Sequence, residues 1–278
     1  MTDKPVADLH LHTNHSDGAD SPERVVERAA EAGFAAIAIT DHDTVSAIAP
    51  AMDAAQGLGL ELLPGTEISA QYGAHEIHVL GLGVAPANGT LTNALRQLVA
   101  GRRERAERIV EKLNGLGIPI TIEAVAARAA RGAVGRIHIA QEIHAMGFSP
   151  TVQGAFDKFI GKGKKAFVTK PALPCEEVIE LIHTAGGLAF LAHPCLGQTP
   201  KLLPRLLQLP FDGIEVYHSR HSPGQIEEYR QHAEAEDLLI TGGSDCHGAA
   251  KNQPPEMGKI RLPYTHVARI KEALSRRL

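Results

Sequence analysis

The sequence predicts an α/β fold, a barrel of repeated strand–helix units interrupted once by a helical insertion. Three observations predict it. Short apolar segments of strand length alternate with amphipathic helical segments in the first and last thirds of the chain. That alternation stops from about residue 90 to 159, where only helical periodicity is found. His and Asp residues recur where strands end, and in such barrels the residues at the C-terminal ends of the strands meet in one place.

The first strand runs around Val6 to His12. A helix follows from about Pro22 to Ala32, with Ser21 as its N-cap, Pro22 in its first turn and Gly33 ending it. Ala35 to Thr40 is a strand and Thr44 to Gln56 a helix; Glu61 to Ile68 and Glu76 to Val84 are strands, the second alternating strongly. The insertion holds helices over Leu91 to Leu113, Glu123 to Ala130, Ile137 to Met146 and Thr151 to Phe159. After Lys170 come helix Pro174 to Thr184, strand Leu188 to Ala192, helix Leu202 to Gln208, strand Gly213 to Tyr217, helix Gly224 to Glu236, strand Leu238 to Gly242 and helix Tyr264 to Ser275. The expected organisation is a barrel from 1–88 and 168–278 and an insertion over 89–167. The insertion separates the strand bearing His78 from the strand bearing His193, so it is placed to cover the barrel mouth and choose what enters.

Composition narrows the class. The 278 residues and 44% hydrophobic content suit one globular domain with an insertion. No apolar run approaches the roughly 20 residues that span a bilayer, and the polar start has no signal-peptide pattern, so a cytoplasmic protein with no membrane partner is expected. Cys175, Cys195 and Cys246 form no CxxC pair, which fits reduced thiols outside the ligand set. Residues 101–170 carry 13 Lys/Arg against 6 Asp/Glu, a net of +7 in a chain whose total is −4. Part of that excess is helix-surface pairing of Arg102, Arg103, Arg105 and Arg108 with Glu104, Glu107 and Glu111; the rest suits an anionic ligand.

The chemistry sits in four strand exits. In Asp8-Leu9-His10-Leu11-His12, alternation points His10 and His12 to one face and Leu9 and Leu11 to the other. Adjacent imidazoles on one face are poor packing and good metal ligands. Ile39-Thr40-Asp41-His42-Asp43, Ala192-His193-Pro194 and Ser244-Asp245-Cys246-His247 repeat the theme. Carboxylates that could balance the cations are Asp17, Asp245 and Glu67, the last at a strand end where it could bridge two ions or lie on the surface. His78 is preferred to His75 because it lies on the inward periodicity of its strand.

DLHLHTNHSDG, ITDHD, AHP and SDCH, in this order, resemble the four motifs of the PHP (polymerase and histidinol phosphatase) family over about residues 5 to 85 and 168 to 260. The resemblance implies a distorted (β/α)7 barrel of TIM-like form and two or three divalent metals, Mn²⁺ first, with Zn²⁺ or Fe²⁺ as alternatives. By motif, one metal takes His10, His12 and Asp245 with Glu67 bridging; a second takes Glu67, His78 and His193; a third takes Asp17, His42 and His247. His15 lies in the first motif outside these nine, as an outer-shell or substrate-facing group.

Divalent ions at such a site would activate a bridging hydroxide for in-line attack on a phosphate ester, so a hydrolase of phosphoric esters is expected. His218 and Asp43 are candidates for protonating the leaving oxygen, with His193 also near the chemistry; an outer hydrogen bond is the alternative for His218 and Asp43. In the insertion, Gly135-Arg136-Ile137-His138 opens a helix and Gly161-Lys162-Gly163-Lys164-Lys165 forms a basic loop. GRIHIA, GKGKKAFV and EVYHSRHSP resemble the PHP members that are 3′,5′-nucleoside bisphosphate phosphatases, which implies removal of the 3′-phosphate from pAp-like compounds, with trimming of short RNA from the 5′ end in some relatives. Arg136, His138 and Lys164 would then hold the 5′-phosphate. The alternatives are a histidinol-phosphate phosphatase, a polymerase-associated PHP module and a non-catalytic metal-stabilised module. No long nucleic acid is expected as partner.

Overall fold

Seven strands of the first unit wrap into a nearly closed barrel. The computed structural model describes residues 5–129, 134–169, 172–248 and 256–277. Two units are distinguished: residues 1–95 with 172–278, and residues 96–171.

In the first unit, β1 (Val6–Leu11), β2 (Ala36–Ile39) and β3 (Glu61–Tyr72) run parallel, as do β6 (Leu188–Leu191), β7 (Gly213–His218) and β8 (Leu239–Gly243). Between the two sets, β4 (His75–Leu82) runs antiparallel to both β3 and β6. Near-closure comes from the chain just beyond β8, where Asp245 N–H donates to the His10 carbonyl at 2.9 Å and His12 N–H to the Cys246 carbonyl at 3.1 Å. Two short strands extend the sheet: β5 (Leu173–Pro174) beside β3 and β9 (Leu262–Pro263) beside β1.

The reversal of β4 distorts the barrel. Alternation along Glu76 to Val84 does not show direction, because it reads the same in parallel and antiparallel strands. The turn that reverses the chain contains Gly73 at φ 58°, in the left-handed region glycine enters without a Cβ penalty. Pairing of Ser69 with His78 and Glu67 with Leu80 then sets the early half of β4 beside the late half of β3. His78 thereby reaches the barrel end where the parallel strands finish.

Helices α1 (Pro22–Glu31), α2 (Ile48–Ala55), α7 (Cys175–Thr184), α8 (Thr199–Leu206), α9 (Pro223–Ala235) and α10 (Tyr264–Ser275) belong to this unit, and α3 (Gly89–Gly115) begins in it. The Ser21 hydroxyl caps α1 by accepting from Arg24 N–H at 3.3 Å. The helix expected from Thr44 starts only at Ile48, because the Thr44 hydroxyl turns to bond Ser46. The one expected from Leu202 starts earlier, at Thr199. On β1 the alternation is realised. Leu9 packs with Phe190, Val267 and Ile270, and Leu11 with Val26, Phe34, Ile37 and Cys246, while His10 and His12 take the other face.

The second unit contains the rest of α3, with α4 (Ile122–Arg128), α5 (Arg136–Ala145), α6 (Val152–Ala155) and a π-helical turn over Phe156–Ile160. The expected end of a helix at Ala130 lies outside the described residues. Ile109, Leu113, Val125, Ile139, Ile143 and Ile160 form its own buried core. No helix among the described residues is long and apolar enough to cross a membrane.

Candidate active site

Glu67 stands at the centre of the barrel's C-terminal end, fully buried. Its Oε1 lies 2.8 Å from both His78 Nδ1 and His193 Nε2. Its Oε2 lies 3.0 Å from His42 Nδ1 and 3.3 Å from the Nε2 atoms of His10 and His12. Five imidazoles from four segments thus meet one carboxylate. Asp245 faces the same group: Oδ1 is 3.1 Å from His12 Nε2 and 3.5 Å from His10 Nε2, and Oδ2 is 3.5 Å from His218 Nε2. Asp17 Oδ1 lies 3.0 Å from His247 Nε2 and 3.9 Å from His42 Nε2.

Among the described residues, three donor sets with ligand atoms within 4.8 Å of one another hold the expected ligands: His10, His12, Glu67 and Asp245; His42, Glu67 and His78; and His12, Asp17, His42 and His247; a further set, His10, Glu215 and His218, adjoins them. All nine residues expected to bind metal are therefore brought together, with His193 joined to the second set through Glu67 Oε1.

These side chains fit divalent cations on a direct observation. His10 Nε2, both ring nitrogens of His12, His42 Nδ1, Glu67 Oε2 and His247 Nε2 are buried without a well-formed hydrogen bond. Buried polar atoms are rarely left so. Here they converge, and a cation would supply the partner they lack. Mixed imidazole and carboxylate donors are those that suit Mn, Fe and Zn.

The electrostatics agree. Burial disfavours the charged form of His12, yet the neighbouring carboxylates of Asp245 and Glu67 raise its pKa to about 9. Burial likewise opposes protonation of His78, and Glu67 overrides it, again to about 9. Glu67 is pulled well below the carboxylate range by His42, His78 and His10 despite its burial. Burial dominates at His42, pushed down to about 4. Without metal, protons on His12 and His78 balance the carboxylates. Loading the site at neutral pH is therefore expected to release protons, and metal affinity to fall as pH drops below 9. Titration calorimetry in buffers of different ionisation enthalpy checks this; a binding heat independent of buffer contradicts it.

The backbone here is strained. His193 (φ 24°), Asp43 (φ 54°) and Asp245 (φ 55°) adopt left-handed conformations at strand exits, a feature that persists where surrounding bonds over-determine it. His193 N–H donates to Glu215 Oε2 at 2.6 Å, Asp43 N–H to the Glu67 carbonyl at 3.0 Å, and Asp245 N–H to the His10 carbonyl. Gly243 is required by close approach: a Cβ there would sit 2.4 Å from His10 N and Cβ.

Sequence reasoning missed three supporting carboxylates. Glu215, on β7 and fully buried, accepts from His10 Nδ1 at 2.9 Å as well as from His193 N–H. It thereby fixes the tautomer that turns His10 Nε2 to the centre. Burial opposes its charge, but His10 and His218 hold its pKa at about 2. Asp41 accepts from Thr13 N–H at 2.8 Å, Thr13 Oγ1 at 2.6 Å and the Ser16 hydroxyl, fixing the loop that carries Asp17. Asp8 accepts from Ser244 N–H and Oγ at 2.9 and 2.6 Å. A carboxylate inside an apolar strand, as in Ile214-Glu215-Val216, was the available signal.

The remaining expected residues have the following surroundings. His218 is buried, with Nδ1 accepting from Arg220 N–H at 3.2 Å. Asp43 is fully buried and accepts from Ser69 N–H at 2.7 Å, a bond that ties the loop after β2 to β3. His15 Nδ1 lies 2.7 Å from the Ser46 hydroxyl. Arg136, His138 and Lys164 all belong to the second unit. Arg136 opens α5 with its guanidinium 5.9 Å from the Phe156 ring centre, and Lys164 is exposed. His138 is buried, and its Nδ1 accepts from Gly135 N–H at 3.1 Å. That nitrogen is committed to closing its own helix.

Comparison with known proteins places this arrangement in a class. The PHP domain model matches residues 8–239. The chain is 36% identical over 249 residues to the 5′-3′ exoribonuclease Rnm of Escherichia coli, covering 87% of this chain and 85% of the relative. It is 33% identical over 246 residues to the 3′,5′-nucleoside bisphosphate phosphatase of Chromobacterium violaceum, covering 86% of each. A crystal structure from Bifidobacterium adolescentis, assigned as a metal-dependent phosphoesterase, superposes with a TM-score of 0.85 at 33% identity, covering 96% of this chain and 95% of the other. Barrel, donor sets and relatives together define a metal-dependent hydrolase of phosphoric esters. The chain belongs to the PHP domain family.

Proposed function

We propose that the enzyme removes the 3′-phosphate from 3′,5′-nucleoside bisphosphates, leaving a 5′-monophosphate. The observation that carries the hydrolytic chemistry is the convergence of five imidazoles on Glu67, with Asp245 and Asp17 beside it. Divalent ions held by these eight residues and His247, Mn²⁺ first, would supply Lewis acidity to acidify water and neutralise charge on phosphate oxygens. The chain's own groups do the rest. Glu215 holds His10 and His193 in position. His218, with Nδ1 occupied by a backbone N–H and Nε2 turned to Asp245, is the group that holds a proton for the departing oxygen. Asp43, bonded to Ser69 N–H, takes the supporting role.

The substrate reading rests on the Chromobacterium relative and on the net charge of +7 over residues 101–170. We assign the second phosphate to Arg136 and Lys164, with the N-terminus of α5 contributing backbone N–H groups; His15 faces substrate from the first motif. The second reading, trimming of short RNA from its 5′ end, is favoured by the Escherichia coli relative's name.

An assay with Mn²⁺ against pAp, histidinol phosphate and a short 5′-phosphorylated oligoribonucleotide tests the reading. Turnover of pAp is expected. Turnover of histidinol phosphate alone overturns the substrate; preference for the oligonucleotide selects the second reading. Arg136→Ala is expected to raise KM for pAp about 10-fold, roughly 1.4 kcal/mol of binding, with kcat little changed. An unaltered preference for bisphosphate over monophosphate refutes the assignment of Arg136.

A further inference from the structure

We propose that Cys195, His218 and His221 form a further site, adjoining the main cluster through His218, for a borderline-soft divalent cation of the Zn²⁺ type, and that filling it suppresses hydrolysis by taking His218. The inhibitory half rests on the functional reading above; the binding half does not. One ligand atom from each residue lies within 4.8 Å of the others. None of the three is among the nine residues that surround Glu67, Asp245 and Asp17.

His221 carries the argument. It is 8% exposed, and its Nδ1 lies 2.8 Å from the Val216 carbonyl. A carbonyl only accepts, so Nδ1 carries the proton and Nε2 keeps a bare lone pair. That Nε2 is buried with no hydrogen-bond partner. A ring oriented through one nitrogen by a backbone carbonyl, with the other exposed to a site, is the usual arrangement of a metal-ligating histidine. The backbone of Arg220 joins the other two members: its N–H donates to His218 Nδ1 at 3.2 Å, and its carbonyl lies 3.9 Å from Cys195 Sγ. His218 is 1% exposed and Cys195 is half-buried.

Donor chemistry separates this site from the main cluster. The nine-residue cluster offers nitrogen and oxygen only, and its carboxylates suit Mn²⁺. One sulfur with two imidazoles selects Zn²⁺ and its spectroscopic substitute Co²⁺ over Mn²⁺ or Mg²⁺. Binding deprotonates the Cys195 thiol, the proton passing to water as the sulfur–cation bond forms. A cation there would take His218 Nδ1 in place of the Arg220 N–H and draw the ring, with its Nε2 proton, away from Asp245, so excess Zn²⁺ inhibits while catalytic Mn²⁺ remains bound.

The test uses the full-length protein loaded with Mn²⁺ and then titrated with Co²⁺. A sulfur-to-cobalt charge-transfer band in the near ultraviolet is expected, since only a thiolate ligand produces it. It is lost in Cys195→Ala, kept in Cys246→Ala, and needs at least about 10-fold more Co²⁺ in His221→Gln. Absence of the band in the unmodified protein, or its survival in Cys195→Ala, overturns the site. In the assay, Cys195→Ala is expected to retain basal turnover and to need about 10-fold more Zn²⁺ for half-inhibition. Equal Zn²⁺ sensitivity of both proteins, with the band present, overturns the inhibitory role alone. An inactive protein that shows the band points instead to failure of the functional reading.

Discussion

Glu67→Gln is expected to lower kcat/KM by about 1,000-fold or more, a loss of roughly 4 kcal/mol of transition-state stabilisation, and to reduce the bound metal. The carboxylate has five ring nitrogens within 3.3 Å. Glutamine preserves shape but removes the charge and turns one oxygen into an amide donor. The donor sets built around His10 with His12 and around His42 with His78 then lose their shared anion together. Asp245 remains for the first set, so partial occupancy there is expected while the second is lost. Steady-state kinetics together with elemental analysis of the dialysed protein measure both effects. Wild-type activity with full metal content contradicts the central position given to Glu67.

The second large effect is expected from a residue that touches no reacting atom. Glu215→Ala removes the acceptor for His10 Nδ1 and for His193 N–H, both buried. His10 then loses the bond that fixes its tautomer, and His193 the bond that holds its backbone at φ 24°. Outer partners of metal-ligating histidines are worth about 10- to 100-fold in metal affinity, and a stranded buried N–H costs about 1–3 kcal/mol of stability. Weaker metal binding and a lowered Tm are therefore expected together. A positioning role predicts that excess Mn²⁺ restores much of kcat; a merely structural role predicts a lowered Tm with unchanged metal affinity. Glu215→Gln keeps one acceptor oxygen and is expected to fall between the two.

The legible part of this site was local. Two histidines two residues apart on a strand share a face wherever that strand lies, so His10 and His12 were readable as a pair. His42, His193, Asp245 and His247 were readable as strand exits because barrel topology gathers such exits at one end. His78 was chosen for its inward periodicity, but the reason it reaches the site, the reversal of β4, was hidden because alternation carries no direction. Glu215 and Asp41 were passed over for a related reason. Each works through a partner distant in sequence, His10 at 205 residues from Glu215 and Thr13 at 28 from Asp41, and such pairings exist only after the sheet has formed. His138 was read as an anion ligand from its place at a helix start; the same place lets its ring cap Gly135, a competition that residue type alone does not resolve. His221 had no sequence signal beyond its nearness to His218.

The most direct test of the account is anomalous diffraction from crystals grown with Mn²⁺, recorded near the manganese absorption edge. The account predicts peaks within coordination distance of Glu67, Asp245 and Asp17 and the imidazoles that face them. Well-diffracting crystals with no peak among these residues, or with manganese bound only elsewhere, would contradict it.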